Sequence, residues 1–353
     1  MPPEPILDPS TIAAIDRRAM AALGAFPGLS IALARHGQVL YAQGFGIADP
    51  DTGEAVQPMH LFRIASLAKP ITAVAVAQLI ERRRLRADNK VFGPLGVLRR
   101  LHDGRPLPRF VADITVEHLL THAVGGWRND GSDPMFRQPG MNHRQLIAWT
   151  LAHQPLLEPP GRRYVYSNFG YCLLGRIIEA VTGETYADVV QREILAPCGA
   201  GAMRIAGNTL AERAPGEVTY HTGGDGDPYG MNVARMDSHG GWIASASDVA
   251  RFLTWVDGVA DPVQQPELLR VMTATSRTNV AYTRGWHGYR RQNWWHGGGM
   301  PGTAAMMVRT GDGTCAVALA NGSRNERGRY DGALAETIWQ IVDRVSLAAG
   351  SGT

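Results

Sequence analysis

Ser66 and Lys69 stand three residues apart in the segment Ser66-Leu67-Ala68-Lys69, and together they could carry out nucleophilic acyl transfer. A serine hydroxyl is a weak nucleophile that needs a base beside it. Lysine can be that base when burial lowers its pKa, whereas arginine keeps its charge. Residues at i and i+3 share one helix face, about 5–6 Å apart at Cβ, so the amine can reach the hydroxyl. The alternative is a surface lysine at a helix start.

The scarcity of lysine gives this spacing more weight. The chain of 353 residues has lysine only at Lys69 and Lys90, although it contains 35 basic residues in total. Ala87 lies three residues before Lys90, so Ser66 and Lys69 form the only Ser-x-x-Lys. The apolar run 70–76 that follows would supply the surroundings that disfavour an ammonium.

A second candidate element is Tyr166-x-Asn168, the only Tyr-x-Asn in the chain. It follows the turn signal Pro159-Pro160-Gly161 and precedes a predicted helix. A tyrosine there could share a proton with the serine and the lysine, and the asparagine could hold the lysine and a substrate carbonyl. A packed aromatic followed by a helix-capping asparagine is the alternative interpretation.

The third element is His296-Gly297-Gly298-Gly299, at the end of a predicted strand. Glycines let a substrate approach a strand closely. The N–H groups of Gly299 and Ser66 could then form an oxyanion hole, in which each donor stabilises the transition state by about 3–4 kcal/mol. Lipases of the α/β-hydrolase fold also use His-Gly-Gly-Gly, but they need Gly-x-Ser-x-Gly downstream, and this sequence has none.

The secondary-structure elements that must position these residues fall into three parts of the chain: an N-terminal and a C-terminal part with strands, and a mainly helical middle. Strands are predicted at 28–34, 39–45, 292–296, 304–309 and 314–320, with a hairpin turn at 35–38. Helices are predicted from residue 8, at 71–80, 116–122, 143–152, 170–181, 186–195, 247–256 with Ser247 as its cap, and 331–345. This order predicts an α+β sandwich whose antiparallel sheet is built from both ends of the chain and flanked by helices. Residues 85–240 would form a mainly helical subdomain beside an α/β subdomain of 1–84 and 241–353, with the site at their seam.

The charge, hydropathy and cysteine content of the chain limit the kinds of partner and location that can be expected. The net charge of +3 and the arginine runs predict no nucleic-acid surface. No run reaches membrane-spanning length and no signal peptide is visible, so the expected location is the cytoplasm. Three scattered cysteines predict neither a disulfide framework nor a zinc site. His118 and His122 have the i, i+4 spacing of metal ligands without a third ligand, and no metal or cofactor is expected.

Taken together, Ser-x-x-Lys, Tyr-x-Asn and His-x-Gly in this order resemble the active-site motifs of the class C β-lactamase-like family. That family includes DD-peptidases, D-aminopeptidases, carboxylesterases and acyltransferases, and the resemblance implies the β-lactamase/transpeptidase-like fold. It implies that Ser66 is acylated, that Lys69 and Tyr166 form the base system, and that Asn168 positions the lysine and the substrate. It further implies oxyanion donors at Ser66 and Gly299, a place for Gly298 among the substrate-binding or oxyanion residues, and His296 on the opposite wall.

The third motif departs from the Lys-Thr-Gly of true β-lactamases, whose lysine and threonine help to bind a substrate carboxylate. His296-Gly297-Gly298 therefore favours an esterase, an amidase or an aminopeptidase. The leading prediction is an enzyme that passes the acyl group of a small-molecule donor to water, or to an alcohol or amine acceptor as a transacylase. A DD-peptidase or β-lactamase and a catalytically silent binding module are the alternatives. The segments 125–142 and 220–235 are predicted substrate walls. Four aromatic residues could face the substrate or lie in the core: Trp127, Tyr229, Trp286 and Trp294.

Overall fold

A computed structural model describes residues 7–101, 106–224, 226–257, 272, 274–289, 293–323 and 332–350. The strands are β1 (Gly28–Arg35), β2 (Gln38–Asp49), β3 (Glu54–Ala55), β4 (Phe62–Arg63), β5 (Arg204–Ile205), β6 (His221–Thr222), β7 (Trp242–Ala244), β8 (His287–Tyr289), β9 (Asn293–Met300), β10 (Thr303–Arg309), β11 (Cys315–Ala320) and β12 (Gly322–Ser323). The α-helices are α1 (Pro9–Ala22), α2 (Ala68–Glu81), α3 (Val116–Leu120), α4 (Pro134–Arg137), α5 (His143–His153), α6 (Asn168–Thr182), α7 (Tyr186–Val190), α8 (Ala246–Asp257) and α9 (Gly332–Gly350).

The large sheet joins the two ends of the chain. Its seven strands run in the order β3-β2-β1-β11-β10-β9-β8, and every neighbouring pair is antiparallel. The central pair, β1 with β11, brings Leu29 opposite Ala320. The predicted fold class is therefore confirmed. The subdomain limits at 84/85 and 240/241 stay a prediction.

The hairpin between β1 and β2 forms where the sequence predicts it. His36 and Gly37 both have positive φ, as the two central residues of a type I′ turn require. β2 is longer than predicted because its far end also pairs with β3, where Ile47 lies opposite Ala55.

Alternating side chains on β11 separate two hydrophobic layers. Ala316, Ala318 and Ala320 face the layer formed with α1 and α9, in which Ile15 and Ile338 are buried. The intervening residues Cys315, Val317 and Leu319 face the larger layer that contains α2, α6 and α8. This period of two is what a strand that is buried on both faces requires.

Two helix predictions need correction. Ser245, not Ser247, caps α8, because the Ser245 Oγ accepts the backbone N–H of Asp248 at 3.1 Å. The predicted helix over 186–195 divides into α7 and a π-helical turn at Gln191–Leu195. The predicted starts at residues 292 and 331 lie outside the described residues.

Within the described part of the chain, no helix combines the length and apolar character that crossing a membrane would require. The same residues contain no group of three or more His, Cys, Asp or Glu side chains arranged to hold a metal ion. His118 instead belongs to a capping box at the start of α3, where its Nδ1 accepts the N–H of Thr115 at 3.2 Å.

Candidate active site

Ser66 lies at a sharp join between two helical segments. It is the middle residue of a 3₁₀ turn, Ala65–Leu67, and α2 begins directly afterwards at Ala68. Ala65 is buried and has a φ of +47°, a left-handed conformation that costs a non-glycine residue of the order of 1 kcal/mol or more. Such strain is typical of functional sites, and it sits on the residue that immediately precedes the predicted nucleophile.

Lys69 extends from the first turn of α2 into a fully buried position. Its Nζ donates to Ser66 Oγ at 2.9 Å, to Asn168 Oδ1 at 2.8 Å and to the His239 carbonyl at 3.0 Å. These three acceptors match the three protons of an ammonium. Burial nevertheless lowers the pKa of Lys69 to about 7, and the nearby carboxylate of Asp133 opposes that change.

Tyr166 lies next to both members of this pair. The Lys69 Nζ is 4.9 Å from the centroid of the Tyr166 ring, and Tyr166 lines the same cavity as Ser66. Burial raises the pKa of Tyr166 well above its usual value, and the neighbouring Ser66 hydroxyl acts in the opposite direction. The loop is fixed by its backbone: the N–H of Asn129 donates to the Tyr166 carbonyl at 3.1 Å.

Asn168 is the first residue of α6 and links the lysine to a buried carboxylate. Its Oδ1 accepts from Lys69, while its Nδ2 donates to Asn129 Oδ1 at 2.9 Å and to Asp133 Oδ2 at 2.8 Å. The helix cap is the preceding residue, Ser167, whose Oγ accepts the N–H of Gly170 at 3.0 Å. The side chain of Asn168 is therefore left free for the site.

The third motif lies on β9, packed directly against the turn that carries Ser66. A Cβ placed on Gly298 would lie 2.7 Å from the Ile64 carbonyl oxygen and 3.1 Å from the Ala65 Cβ, so only glycine fits this approach. Gly299 and His296 line the same cavity as Ser66. The structure thus brings all seven predicted site residues together, whereas their individual roles stay predictions.

His296 is buried and uncharged. Its Nδ1–H donates to the Gly297 carbonyl at 2.6 Å, because a carbonyl can only accept, and its Nε2 lies 3.4 Å from Tyr282 Oη. Burial holds the pKa of His296 well below the usual value, and the neighbouring His287 and Lys69 lower it further. The motif therefore presents a neutral imidazole to the cavity.

A cavity of about 900 Å³ opens at Ser66. Both predicted substrate walls contribute to it, the first through Asn129, Asp130 and Phe136, the second through Gly226, Asp227, Gly230 and Met231. Its charged lining residues, among those that the structure describes, are Asp130 and Asp227; the described lining includes no lysine or arginine.

Of the two alternatives for the four aromatic residues, the structure favours the core. Trp127 and Trp286 are buried, and neither Tyr229 nor Trp294 contributes to the lining. The phenyl, phenol and indole side chains that line the cavity belong to Phe136, Tyr166 and Trp295. Nothing in the sequence around Phe136 or Trp295 indicated that these two side chains would be exposed to the cavity. Spacing alone could not reveal which face of each aromatic would be covered.

His122 is a site residue that the sequence interpretation missed. Its Nδ1 accepts the N–H of Ser167 at 3.1 Å, and its ring lies 4.2 Å from that of Tyr166. The Nε2 contacts Tyr282 Oη at 3.1 Å, so His122 supports the Tyr-x-Asn loop from behind. The sequence had suggested only a metal-ligand spacing for this histidine.

Asp133 was missed as well. The sequence marks it only as an aspartate before a proline, which is a helix-start signal, and it does cap α4 by accepting the Met135 N–H at 2.9 Å. Its burial and its contact with Asn168 depend on the packing of α4 against α6. No local pattern encodes that packing.

Comparisons with known proteins agree with this geometry. A protein-family model described as Beta-lactamase matches residues 17–337. The chain is 32% identical to Esterase EstB of Burkholderia gladioli over an alignment of 293 residues. That alignment spans 72% of this chain and 71% of the esterase. The chain is 29% identical over 329 residues to Penicillin-binding protein 4 of Amycolatopsis lactamdurans, with coverage of 84% and 81%.

Among solved structures, the D-amino acid amidase from Ochrobactrum anthropi SV3, crystallised with L-phenylalanine amide, superposes with a TM-score of 0.77. The match covers 97% of this chain and 99% of that chain at 23% identity. It establishes a shared fold over almost the entire length of both proteins.

Proposed function

The chain belongs to the Beta-lactamase family and is a serine acyl-transfer enzyme, and from this premise we propose that Ser66 is the acylated nucleophile of an esterase or amidase. The observation that carries the proposal is the contact of 2.9 Å between Lys69 Nζ and Ser66 Oγ at the floor of an open cavity. This is the distance that direct proton transfer from a nucleophile to its base requires.

Lys69 is the base in the proposed mechanism. Because burial lowers its pKa to about 7, a large fraction of the amine is neutral near physiological pH. It takes the proton of Ser66 as Oγ attacks the donor carbonyl. The N–H groups of Ser66 and Gly299 stabilise the oxyanion. Collapse of the tetrahedral intermediate expels the alcohol or amine, and water then repeats the sequence on the acyl-enzyme.

Tyr166 acts in this proposal as a neutral phenol that relays a proton. Burial raises its pKa, so the phenolate is the rarer species at neutral pH, and Lys69 is the more accessible base. Because Tyr166 lines the cavity beside Ser66 and lies close to Lys69, its hydroxyl can give a proton to the leaving group and recover one from the Lys69 ammonium. Asn168 holds the lysine during both half-reactions.

The cavity supports an acyl donor without a free carboxylate. Its described lining carries carboxylates at Asp130 and Asp227, and the imidazole of His296 is neutral. An anionic donor would be repelled by both aspartates, and the lining that the structure describes offers no lysine or arginine to compensate its charge. An esterase and an amidase among the similar proteins agree with this class.

The proposal also includes a second class of acceptor and a second class of donor. The volume of about 900 Å³ leaves room for an alcohol or amine acceptor beside the donor, which would make the enzyme a transacylase. The similarity to penicillin-binding proteins supports a DD-peptidase or β-lactamase as the second candidate. Turnover of nitrocefin well above that of short-chain esters would favour it. The cytoplasmic location stays a prediction.

The test is intact-mass spectrometry after exposure to a panel of esters, amides and β-lactams. We expect one acyl adduct on the wild type and none on Ser66→Ala, because the attacking oxygen is lost. Ser10→Ala, on the exposed first turn of α1, is the matched control and should be acylated normally. Undiminished labelling of Ser66→Ala would refute the assignment, and no adduct from any donor on the wild type would favour a silent binding module.

A further inference from the structure

Asp133 is a buried carboxylate that lies behind the reactive residues rather than in the cavity lining. Its side chain is fully inaccessible to solvent. One oxygen accepts the Met135 N–H at the start of α4, and the other accepts from Asn168 Nδ2 at 2.8 Å. A carboxylate in such a position is costly unless another group benefits from its charge.

The hydrogen bonds fix which way the Asn168 amide points. An ionised carboxylate can only accept and an ammonium can only donate. With Nδ2 towards Asp133 and Oδ1 towards Lys69, both contacts are satisfied at 2.8 Å. A rotated amide would set oxygen against the carboxylate and nitrogen against the ammonium. Asn129 reinforces the observed orientation, because its Oδ1 accepts from the same Nδ2.

Asp133 also balances the charge of the buried lysine. Burial favours the neutral amine and the carboxylate favours the ammonium. The reciprocal effect is present: burial raises the pKa of Asp133 to about 6, while Lys69 and the hydrogen bond from Asn168 lower it. Among the described residues, the other titratable groups around Lys69 include five side chains that burial keeps neutral: His122, Tyr166, Tyr171, His239 and His296.

A rigid frame holds the carboxylate in place. The N–H of Asp133 donates to the Asp130 carbonyl at 2.9 Å. The buried guanidinium of Arg235 then binds the segment that follows, donating to the Met135 carbonyl at 2.7 Å and to the Gln138 carbonyl at 2.5 Å. The segment that carries Asp133 is thus tied to the chain just before His239, whose carbonyl accepts from Lys69.

We propose that Asp133 is a positioning residue which orients the Asn168 amide towards Lys69 and supplies the negative charge that favours the ammonium form of Lys69 over the amine. The acyl-transfer step takes place between Ser66 and Lys69, and Asp133 acts on it through Asn168. This inference rests on the proposed function, because it assigns Lys69 as the base of that reaction.

The test compares the pH dependence of Ser66 acylation by 4-nitrophenyl acetate in the wild type and in Asp133→Asn. In the wild type the acylation rate should rise with pH through about 7, as Lys69 loses its proton. Removing the negative charge destabilises the ammonium, so the midpoint of this rise should move to lower pH by roughly one unit. A merely structural role would lower the rate without moving the midpoint.

Asp248→Asn is the matched control, because it removes another buried carboxylate at a helix start, where Asp248 contacts Ser245 and Arg251. Its midpoint should equal that of the wild type. Asp133→Ser, which retains a capping oxygen, replaces Asp133→Asn if that variant does not fold. If the Asp133 variant folds, is acylated and has the wild-type midpoint, the role proposed for Asp133 is wrong and the proposed function still stands. Absence of acylation in the wild type overturns the proposed function and this inference with it.

Discussion

At the scale of single residues, the site is built around a lysine in surroundings that oppose its charge. Lys69 is fully buried, and its amine meets acceptors from three different parts of the chain: Ser66, Asn168 and the His239 carbonyl. The loss of solvation favours the amine, and the nearby carboxylate of Asp133 favours the ammonium. The two effects bring the pKa of Lys69 to about 7, where a base is most useful near neutral pH.

Lys69→Arg should therefore lower the acylation rate by at least about 100-fold, because a guanidinium does not lose its proton and general-base catalysis is worth about 10²–10⁴-fold. The measurement is single-turnover acylation of Ser66. Lys90→Arg, the same exchange at the half-exposed second lysine, should leave the rate unchanged. A Lys69→Arg rate within tenfold of the wild type would show that another group is the base.

At the scale of elements, the site depends on how closely β9 approaches the turn that carries Ser66. Among the described residues, β8 pairs with β9 from Asn293 to Trp295. Further along the chain, β9 packs against the 3₁₀ turn Ala65–Leu67, and Gly298 lies close against the backbone of that turn. This contact is what places the third motif beside the nucleophile.

Gly298→Ala should separate β9 from that turn and lower the acylation rate by about tenfold or more. The added Cβ would lie 2.7 Å from the Ile64 carbonyl oxygen, a backbone atom that cannot rotate away, and overpacking of this kind costs about 1–3 kcal/mol. Gly288→Ala on β8 is the control, since its Cβ would have an ordinary contact of 3.7 Å with Thr283. Acylation and thermal unfolding are measured together, and wild-type acylation by Gly298→Ala would contradict the close approach.

At the scale of the whole molecule, the sheet and the helices together bury a cluster of neutral histidines around the site. His122, His239 and His296 are each almost inaccessible to solvent, and burial holds their pKa values well below the usual value. The positive charge of Lys69 lowers all three further. Folding therefore requires these three imidazoles to stay unprotonated.

The free energy of unfolding should consequently fall as the pH drops below about 6.5. In that range the unfolded chain protonates its histidines and the folded protein does not, so each contributes a loss of about 1.4 kcal/mol per pH unit. Asp133 acts in the opposite direction between pH 6 and 4, because its pKa in the folded protein is raised to about 6. In that range the folded protein binds a proton at Asp133 that the unfolded chain does not bind, and this offsets the loss from about one histidine. The net expectation is a loss of a few kcal/mol per pH unit between pH 6 and 5.

Urea unfolding at pH 7, 6 and 5 measures this slope. His239→Gln removes one of the buried imidazoles and should make the slope shallower, with the exposed His153→Gln as its control. A free energy of unfolding that is constant from pH 7 to pH 5 would contradict the assignment of neutral, buried histidines.

The sequence by itself indicated the candidate reactive residues and a sheet built from both ends of the chain. Ser66, Lys69, Tyr166 and Asn168 carry local spacing signals, and strands at both ends of the chain are legible from their apolar runs. These features depend on neighbours along the chain, so the sequence specifies them directly.

Only the tertiary structure decided what surrounds those residues. Asp133, His122 and His239 meet Lys69, Asn168 and the Tyr-x-Asn loop through contacts between segments far apart in sequence. The same holds for the aromatic side chains that face the cavity, where burial and not residue type made the difference. The pKa of Lys69 depends on the exclusion of solvent, and solvent is excluded only when other segments pack on all sides of the amine. The periodicity of a single segment cannot predict that packing.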